Sequence, residues 1–337
     1  MDLSAAFETV SVGEPVTFQN LTVFPLFAQR GAETAYLTLD AALATGGLSV
    51  TEVSHGGSVP DLLVTNRLDR PVLLLDGEEV IGAKQNRVFN LSILVAARSK
   101  TVVPVSCVEA GRWSQVSPLL AASQRTQHST GRAERLLQVS ESLAALQSRR
   151  SDQGRVWQEI ARKSAQMAVD SPTGAMADIY ERFSAPVDRF VAAIAPVESQ
   201  SGAVFAMNST ISGVELFDSP STLKALLPKL VRSYALDAIE AAPAPGEETH
   251  AEAPDTGAAT AFLQEVSAAA VQSFPAAGLG EDLRLNGAAV AGACLAVDGK
   301  LVHLCAFRVG APGAAGPEKP GMVRAALRRR FAERFWR

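Results

Sequence analysis

Hydrophobic and polar positions change their rhythm twice along this chain. From Val16 to Phe27 the residues alternate and are rich in β-branched and aromatic side chains, which predicts a strand. Tyr36 to Asp40 reads as a further strand, or Asp40 to Ala44 opens a short helix ended by Gly46 and Gly47. Short apolar runs follow at Leu62 to Thr65 and Val72 to Leu75. Longer ones occupy Val88 to Val95 and Thr101 to Val108, with turn signals at Asp76-Gly77 and Ile81-Gly82. Many short strands with frequent turns predict a sandwich or barrel-like antiparallel sheet over the first third.

The middle third takes a helical rhythm. A polar stretch from Ser123 to Gly131 precedes a weak helical pattern over Ala133 to Ser148. Trp157, Ile160, Ala161, Ser164 and Ala168 then recur at i, i+3, i+4 spacing, and Ala175 to Ala193 repeats the pattern with Ile179, Phe183, Val187, Phe190 and Val191 on one face. Pro186 should kink or divide that second helix. In the last third, Ala203 to Met207 and Gly213 to Phe217 read as strands. Ser219-Pro220 opens a helix whose apolar stripe runs from Leu223 to Tyr234. Ala241 to Thr260 reads as a loop, Ala261 to Phe274 as a short helix, and Ala288 to Val297 with Leu301 to Phe307 as a hairpin around Asp298-Gly299. No fixed-period repeat emerges.

The expected fold is therefore α+β: a β-rich N-terminal half, a helical middle and a second αβ half. The expected regions are 1–118 (β-rich), 119–200 (helical) and 201–309 (αβ, packed with the first), then a linker over 310–321 and a basic amphipathic helix over 322–337.

Composition narrows this picture rather than redirecting it. A hydrophobic fraction of 47% and a charged fraction of 20% suit a chain that buries a substantial core. A net charge of −4 gives no general reason to expect nucleic acid. The three cysteines, Cys107, Cys294 and Cys305, fit neither a disulfide framework nor a zinc site, so buried reduced thiols and a cytoplasmic location are expected. The N-terminus lacks a secretory pattern, and no apolar run approaches the ~18 residues that span a bilayer.

The densest polar chemistry lies between Asp76 and Trp113. On an alternating strand Glu79 and Ile81 face one way and Glu78 and Val80 the other. Lys84, Gln85, Asn86 and Arg87 stand in a row beside a turn, and Glu109, Arg112 and Trp113 end the neighbouring run; if these strands pair, Arg87 approaches Glu109 or Glu79. As a ligand site, Lys84, Arg87 and Arg112 would hold phosphate or carboxylate, Gln85 and Asn86 would read polar edges, and Trp113 would line the site. Glu79 or Glu109 would serve as a general base. The competing reading is a solvated turn with ion pairs at a sheet edge. No metal site is expected and no cofactor is identified.

The run Asp76 to Arg87, followed by Ser92 to Val95, Val103 to Glu109 and Gly111 to Trp113, resembles the ADP-ribosylglycohydrolase- and rhodanese-phosphatase-superfamily-associated domain family. The likeness continues through Ser171, Thr173, Gly213 to Phe217, Lys229, Leu230, Ser233, Tyr234, Gly299, His303 and Leu304, so it covers most of the chain up to Val309. It implies a bacterial or archaeal intracellular protein linked by association to ADP-ribose or phosphoester metabolism. It supplies no catalytic residues.

Other candidates favour plainer readings. His303 sits among Leu301, Leu304 and Cys305 as a partly buried structural histidine with no partner visible in sequence. His55, His128 and His250 are scattered, and Cys107 in a strand reads as core. Ser171 to Gly174 reads as a helix cap more than an anion site. Gly278 to Gly280 is too short for a dinucleotide loop. Met322 to Arg337 carries six arginines against the single acid Glu333, and Val323, Leu327, Phe331 and Phe335 share one helical face. Self-docking on the acidic body or a homo-oligomer contact is favoured there over membrane or nucleic acid.

Three functions follow as expectations. The first is a binding module for a small anionic, nucleotide or ADP-ribose-like ligand. The second is a hydrolase of a phosphate- or ribose-containing substrate with a glutamate base. The third is an assembly protein acting through its C-terminal helix.

Overall fold

The computed structural model describes residues 3–28, 35–54, 56–242 and 253–310. Helix α1 (Leu3–Glu8) leads into β1 (Val10–Val12), β2 (Val16–Phe18) and β3 (Leu21–Ala28). The strand expected from Val16 to Phe27 is thus a hairpin, turned at Gln19, whose φ is 53°. Between residues 36 and 44 strand and helix both occur: β4 (Leu37–Thr38) runs directly into α2 (Leu39–Ala44). Then come β5 (Leu48–Glu52), β6 (Asp61–Asn66), β7 (Val72–Leu74), β8 (Glu78–Gly82), β9 (Arg87–Phe89), β10 (Ile93–Val95), β11 (Ser99–Cys107) and β12 (Leu120–Thr126).

Two differences from the sequence pattern matter for the site. The run Val88 to Val95 is broken at Asn90 to Ser92, and its halves enter different sheets. The polar residues at the break serve tertiary partners: Asn90 Nδ2 donates to the Arg149 carbonyl at 3.0 Å, and Ser92 Oγ accepts the Asp76 amide at 2.9 Å. Strand β12 lies largely in the stretch read as polar, because its ladder to β8 and its contact with a later helix, rather than alternation, hold it extended.

The helical middle comprises α3 (Ser129–Leu146), α4 (Gln153–Gln166), α5 (Met176–Arg182) and α6 (Ser184–Ala193). The long helix expected over Ala175 to Ala193 is divided at Phe183, three residues before Pro186. The missing proline amide and its ring favour a position in the first turn of α6. Next are β13 (Gly202–Met207), β14 (Thr210–Phe217), α7 (Pro220–Glu240), α8 (Thr256–Ser267), β15 (Ala270–Pro275), β16 (Glu281–Asn286), β17 (Val290–Val297) and β18 (Lys300–Arg308). Ser219 caps α7 by accepting the Ser221 and Thr222 amides. The helix expected up to Phe274 stops at Ser267, and the rest of that run is β15, paired along its length with β16. The expected basic helix 322–337 lies outside the described residues, as do His55, His250 and residues 243–252 of the expected loop.

The strands form three sheets. β11-β6-β5-β12-β8-β9 close into a barrel, and β10-β7-β4 form a small sheet beside it. A nine-stranded sheet runs β1-β3-β13-β14-β18-β17-β16-β15, with β2 on β3. The N-terminal strands thus belong to the sheet built mainly by the last third of the chain. Alternation divides that sheet between two cores. Ala203 and Phe205 pack with α7 residues such as Leu227 and Tyr234, while Val204 and Val214 pack with Phe262 of α8. The barrel carries its own core of Val50, Leu62, Val64, Val80, Phe89, Val103 and Val105.

Candidate functional site

The pleat of the barrel decides which polar residues meet. Val80 pairs with Arg87, Cys107 with Arg87, and Glu52 with Leu62; paired residues share a face, so Arg87, Cys107 and Glu52 lie on the same side as Val80 and Leu62, in the barrel interior. Glu79 pairs with Val88, whose side chain belongs to the core outside the barrel. Glu79 therefore sits on the outer wall, where Arg125 Nε binds its Oε2 at 2.8 Å. The structure does not bring Glu79 to the other candidates.

Those others assemble at one barrel end from three pieces of chain. Turn residues 83–86 between β8 and β9 carry Lys84, Gln85 and Asn86; the segment after β11 supplies Glu109, Arg112 and Trp113; and the β5–β6 loop covers them. Arg112 pairs with Glu109 at 2.7 Å and with Asn86 Oδ1 at 3.2 Å. Glu109 accepts the Asn86 amide at 3.1 Å and the Thr173 hydroxyl at 3.2 Å. Gln85 Nε2 donates to the Glu109 carbonyl at 2.9 Å. Lys84 Nζ donates to the Gly56 carbonyl at 2.6 Å and stands 5.2 Å from the centre of the Trp113 ring, with the Arg87 guanidinium 5.8 Å from it. Trp113 itself is 47% exposed. Gly57, at φ 76°, admits this convergence: a Cβ there would meet Lys84, Glu52 and Trp113 side-chain atoms at 3.2–3.4 Å.

Arg87 is the outlier of the group. Its side chain is fully buried, and its Nε donates to the Val59 carbonyl at 3.2 Å. Neither Nη1 nor Nη2 has a hydrogen-bond partner within the protein, and Gln85 Oε1 and Glu52 Oε2 are unpartnered as well. Burial pulls the Arg87 guanidinium below its ordinary value, while Cys107, Glu52 and Glu109 pull the other way. Burial likewise pushes the Cys107 thiol up, so Cys107 is no ready nucleophile. Glu109 lies below the ordinary carboxylate value: burial acts upward, but Arg112 and the Asn86 amide outweigh it.

A second polar cluster lies where barrel, α3 and the nine-stranded sheet meet. Asp76 receives Arg132 Nε at 3.1 Å and Arg135 Nη2 at 2.6 Å, and Glu215 receives Arg132 Nη1 at 2.6 Å. Gly77, at φ 78°, lets the Arg132 stem pass where a Cβ would sit 2.9 Å from it. His303 Nε2 is 3.0 Å from Glu215 Oε2, and its Nδ1 is 2.8 Å from Ser92 Oγ. Lys229 joins Glu78 at 2.7 Å to Asp40 at 2.6 Å, and Lys163 pairs with Asp237 at 2.5 Å. Glu215, His303 and Cys305 bring possible ligand atoms within 4.8 Å of one another, but the Arg132 cation already occupies Glu215.

The family model described as the ARG and Rhodanese-Phosphatase-superfamily-associated Protein domain matches residues 9–307. The chain belongs to this family. No curated protein and no solved structure matches it. The stretch that defines the family in this chain contains the barrel, the nine-stranded sheet and both polar clusters.

Within this family domain, sequence reading found the barrel end but missed the junction. Ser92, Glu215 and His303 lie in three separate strands or strand breaks, up to 211 residues apart, and no local spacing announces them. His303, which has no visible partner in sequence, has two in the fold. Among the described residues no helix is long and apolar enough to cross a membrane.

Proposed function

We propose that this protein is a binding module for a small anionic ligand of the nucleotide or ADP-ribose-like class, held at the barrel end. The observation that carries the reading is the buried Arg87 guanidinium, whose two terminal nitrogens have no partner in the protein. A buried cation whose terminal nitrogens make no hydrogen bond is costly even with Glu52 and Glu109 near it, and a planar fork of donors suits a phosphate or carboxylate. Lys84 adds a second cation, Gln85 Oε1 and Glu52 Oε2 offer acceptors to a ribose or base edge, and half-exposed Trp113 offers a stacking face. Access requires the β5–β6 loop and Trp113 to move aside, since Arg87 is covered. The family's association with ADP-ribosylglycohydrolase and rhodanese-phosphatase proteins supports the ligand class.

Binding is preferred over hydrolysis at this end. Glu109, held below its ordinary value and tied to Arg112, is a weak base, and Glu79 lies on the outer wall. Titration calorimetry with ADP-ribose, nucleoside diphosphates and inorganic pyrophosphate tests the reading. Wild type should bind at least one, and Arg87→Met should weaken it by roughly tenfold to a hundredfold, the loss of one or two charge-assisted hydrogen bonds. No heat with any of them, or equal affinity in Arg87→Met, would falsify the assignment.

A further inference from the structure

On the α8 face of the large sheet, α1 and β1 lie alongside α8, and an open groove of about 530 Å³ runs between them. Its floor is apolar. Phe7, Val10 and Val12 pack against the core under α8 but stay only half-buried, and Leu263 closes the α8 side. Thr260 and Gln264 of α8 and Glu8 of α1 form an exposed rim, and Glu8 is the one charged residue of the lining. Apolar surface left to water in such a groove forgoes the stabilisation that burial gives.

The last strand ends beside this groove. Arg308, at the end of β18, pairs with Glu265 of α8 at 3.1 and 3.2 Å, and its guanidinium stands 4.9 Å from the centre of the Phe262 ring. Glu265 is next to Gln264 of the rim, so the chain leaves the sheet at α8. Residues 311–337 lie beyond the described part. Residues 311–321 alone reach about 36 Å when extended, twice the ~18 Å length of α8. Residues 322–337 are therefore within reach of the whole groove.

That segment complements the groove in two ways. Val323, Leu327, Phe331 and Phe335 recur every four residues and share one face of the helix that the sequence predicts. Six arginines against Glu333 give the segment +5, so the chain's total of −4 places −9 on residues 1–321. An apolar stripe with an arginine-rich margin fits an apolar floor rimmed by a carboxylate on an acidic body. A second open cavity, of about 470 Å³ between Ala168 and Arg182, is more acidic, with Asp170, Asp178 and Glu181, but no leucine or aromatic side chain lines it. Charge alone favours that cavity; the apolar stripe and the exit of the chain favour the groove.

We propose that residues 322–337 dock as a helix in the α1–α8 groove of their own chain. The Leu327, Phe331 and Phe335 face covers Phe7, Val10, Val12 and Leu263, and the arginines face Glu8 and solvent. The segment is then a strap across the large sheet rather than a free basic tail, and it leaves the anion site in the barrel untouched.

The test uses the full chain. Phe331→p-benzoylphenylalanine is irradiated in an equal mixture of protein labelled with light and heavy nitrogen. Peptide mass spectrometry then reports which residues the stripe touches, and in which copy. Adducts on residues 4–12 or 260–268 of the same copy are expected. Adducts elsewhere, the cavity at Ala168 to Arg182 included, adducts between copies, or no adduct at all overturn the proposal. Trypsin cleavage at Arg324 to Arg334 gives an independent readout, because it requires the segment to leave the groove. Thr260→Arg with Gln264→Arg changes only exposed rim side chains, so the body stays folded. The added bulk and like charge should speed that cleavage about tenfold. Equal cleavage rates in wild type and the double variant also overturn the proposal.

Discussion

Among the described residues three arginines, Arg87, Arg132 and Arg135, are fully buried, and they are treated in two ways. Arg132 and Arg135 meet Asp76 and Glu215 and sew α3 to the barrel and the large sheet. Arg87, in the barrel, makes one hydrogen bond, from Nε to the Val59 carbonyl, and no carboxylate is hydrogen-bonded to its terminal nitrogens, although Glu52 and Glu109 act on it from nearby. Burial acts to lower Arg132, but Glu215 and Asp76 outweigh it and raise it well above the ordinary value; for Arg87 burial wins. Arg135, which shares Asp76 with Arg132, also ends below its ordinary value because burial exceeds the single carboxylate's pull. The contrast separates charge that has been matched during folding from charge left over after it. Matched charge holds elements in register, whereas unmatched buried charge lowers stability unless something outside the chain matches it.

The largest effect should come from breaking the matched cluster. Asp76→Ala leaves Arg132 and Arg135 short of their shared carboxylate, and loss of one member of a buried pair costs about 3–5 kcal/mol. Urea denaturation should show this as a lowered midpoint with the slope unchanged. A loss below about 1 kcal/mol would mean the junction tolerates unpaired cations, and the contrast with Arg87 would dissolve.

The opposite sign is expected at Arg87. Arg87→Met keeps an unbranched stem among Val80, Cys107 and Phe89 while removing the unpaired guanidinium. Without ligand it should be neutral or more stable by about 1 kcal/mol, measured by the same denaturation. Destabilisation by several kcal/mol would show that Arg87 is a structural arginine whose Nε bond to Val59 matters more than its free nitrogens.

The two regions were not equally legible from sequence. Lys84 to Arg87 and Glu109 to Trp113 enter and leave the antiparallel pairing of β9 with β11 at the same end, Arg87 opposite Cys107, so neighbouring strands alone bring most of these residues together. Glu79 shows the limit: alternation correctly separates it from Val80, but only closure of the barrel decides which face is interior. The break at Asn90 to Ser92 was invisible because Val88 to Val95 reads as one apolar run, and the side chains that stop it bond to residues far along the chain. The junction was beyond reach for the same reason. Asp76, Arg132, Glu215 and His303 come from a turn, a helix and two strands, and each alone looks like a surface charge or a core histidine. Strand β15 reads as helix in the sequence because Ala261 to Phe274 has no breaker where the helix ends at Ser267.

Acid provides a smaller and more selective test. Asp76 lies below its ordinary value of 3.8, because Arg135 and Arg132 overcome burial. A depressed carboxyl contributes stability that is present above the unfolded value and lost as pH falls through the folded one. Asp237 and Glu159 act in the same sense, held down against burial by Lys163 and His128 respectively, whereas buried Glu78 is raised and acts oppositely. Stability of wild type should therefore fall steeply below about pH 3.8. Asp76→Asn should start lower and fall less steeply over that window, while Arg87→Met, which removes no carboxylate, should keep the wild-type slope. Parallel curves for all three would detach Asp76 from the matched cluster.

The smallest effect belongs to Trp113. Its ring is 47% exposed and lies 5.2 Å from Lys84 Nζ and 5.8 Å from the Arg87 guanidinium. An exposed cation–π contact contributes about 0.5–1 kcal/mol, so Trp113→Ala should move the denaturation midpoint only slightly. Its consequence should appear in binding instead. If Trp113 stacks on the ligand, a nucleotide should lose affinity in Trp113→Ala by about five- to a hundredfold, the 1–3 kcal/mol typical of a stacked base. Inorganic pyrophosphate, which has no ring to stack, should lose little. Equal losses for both ligands would assign Trp113 to covering Arg87 rather than to reading a base, and would narrow the barrel end to an anion site without selectivity for nucleotides.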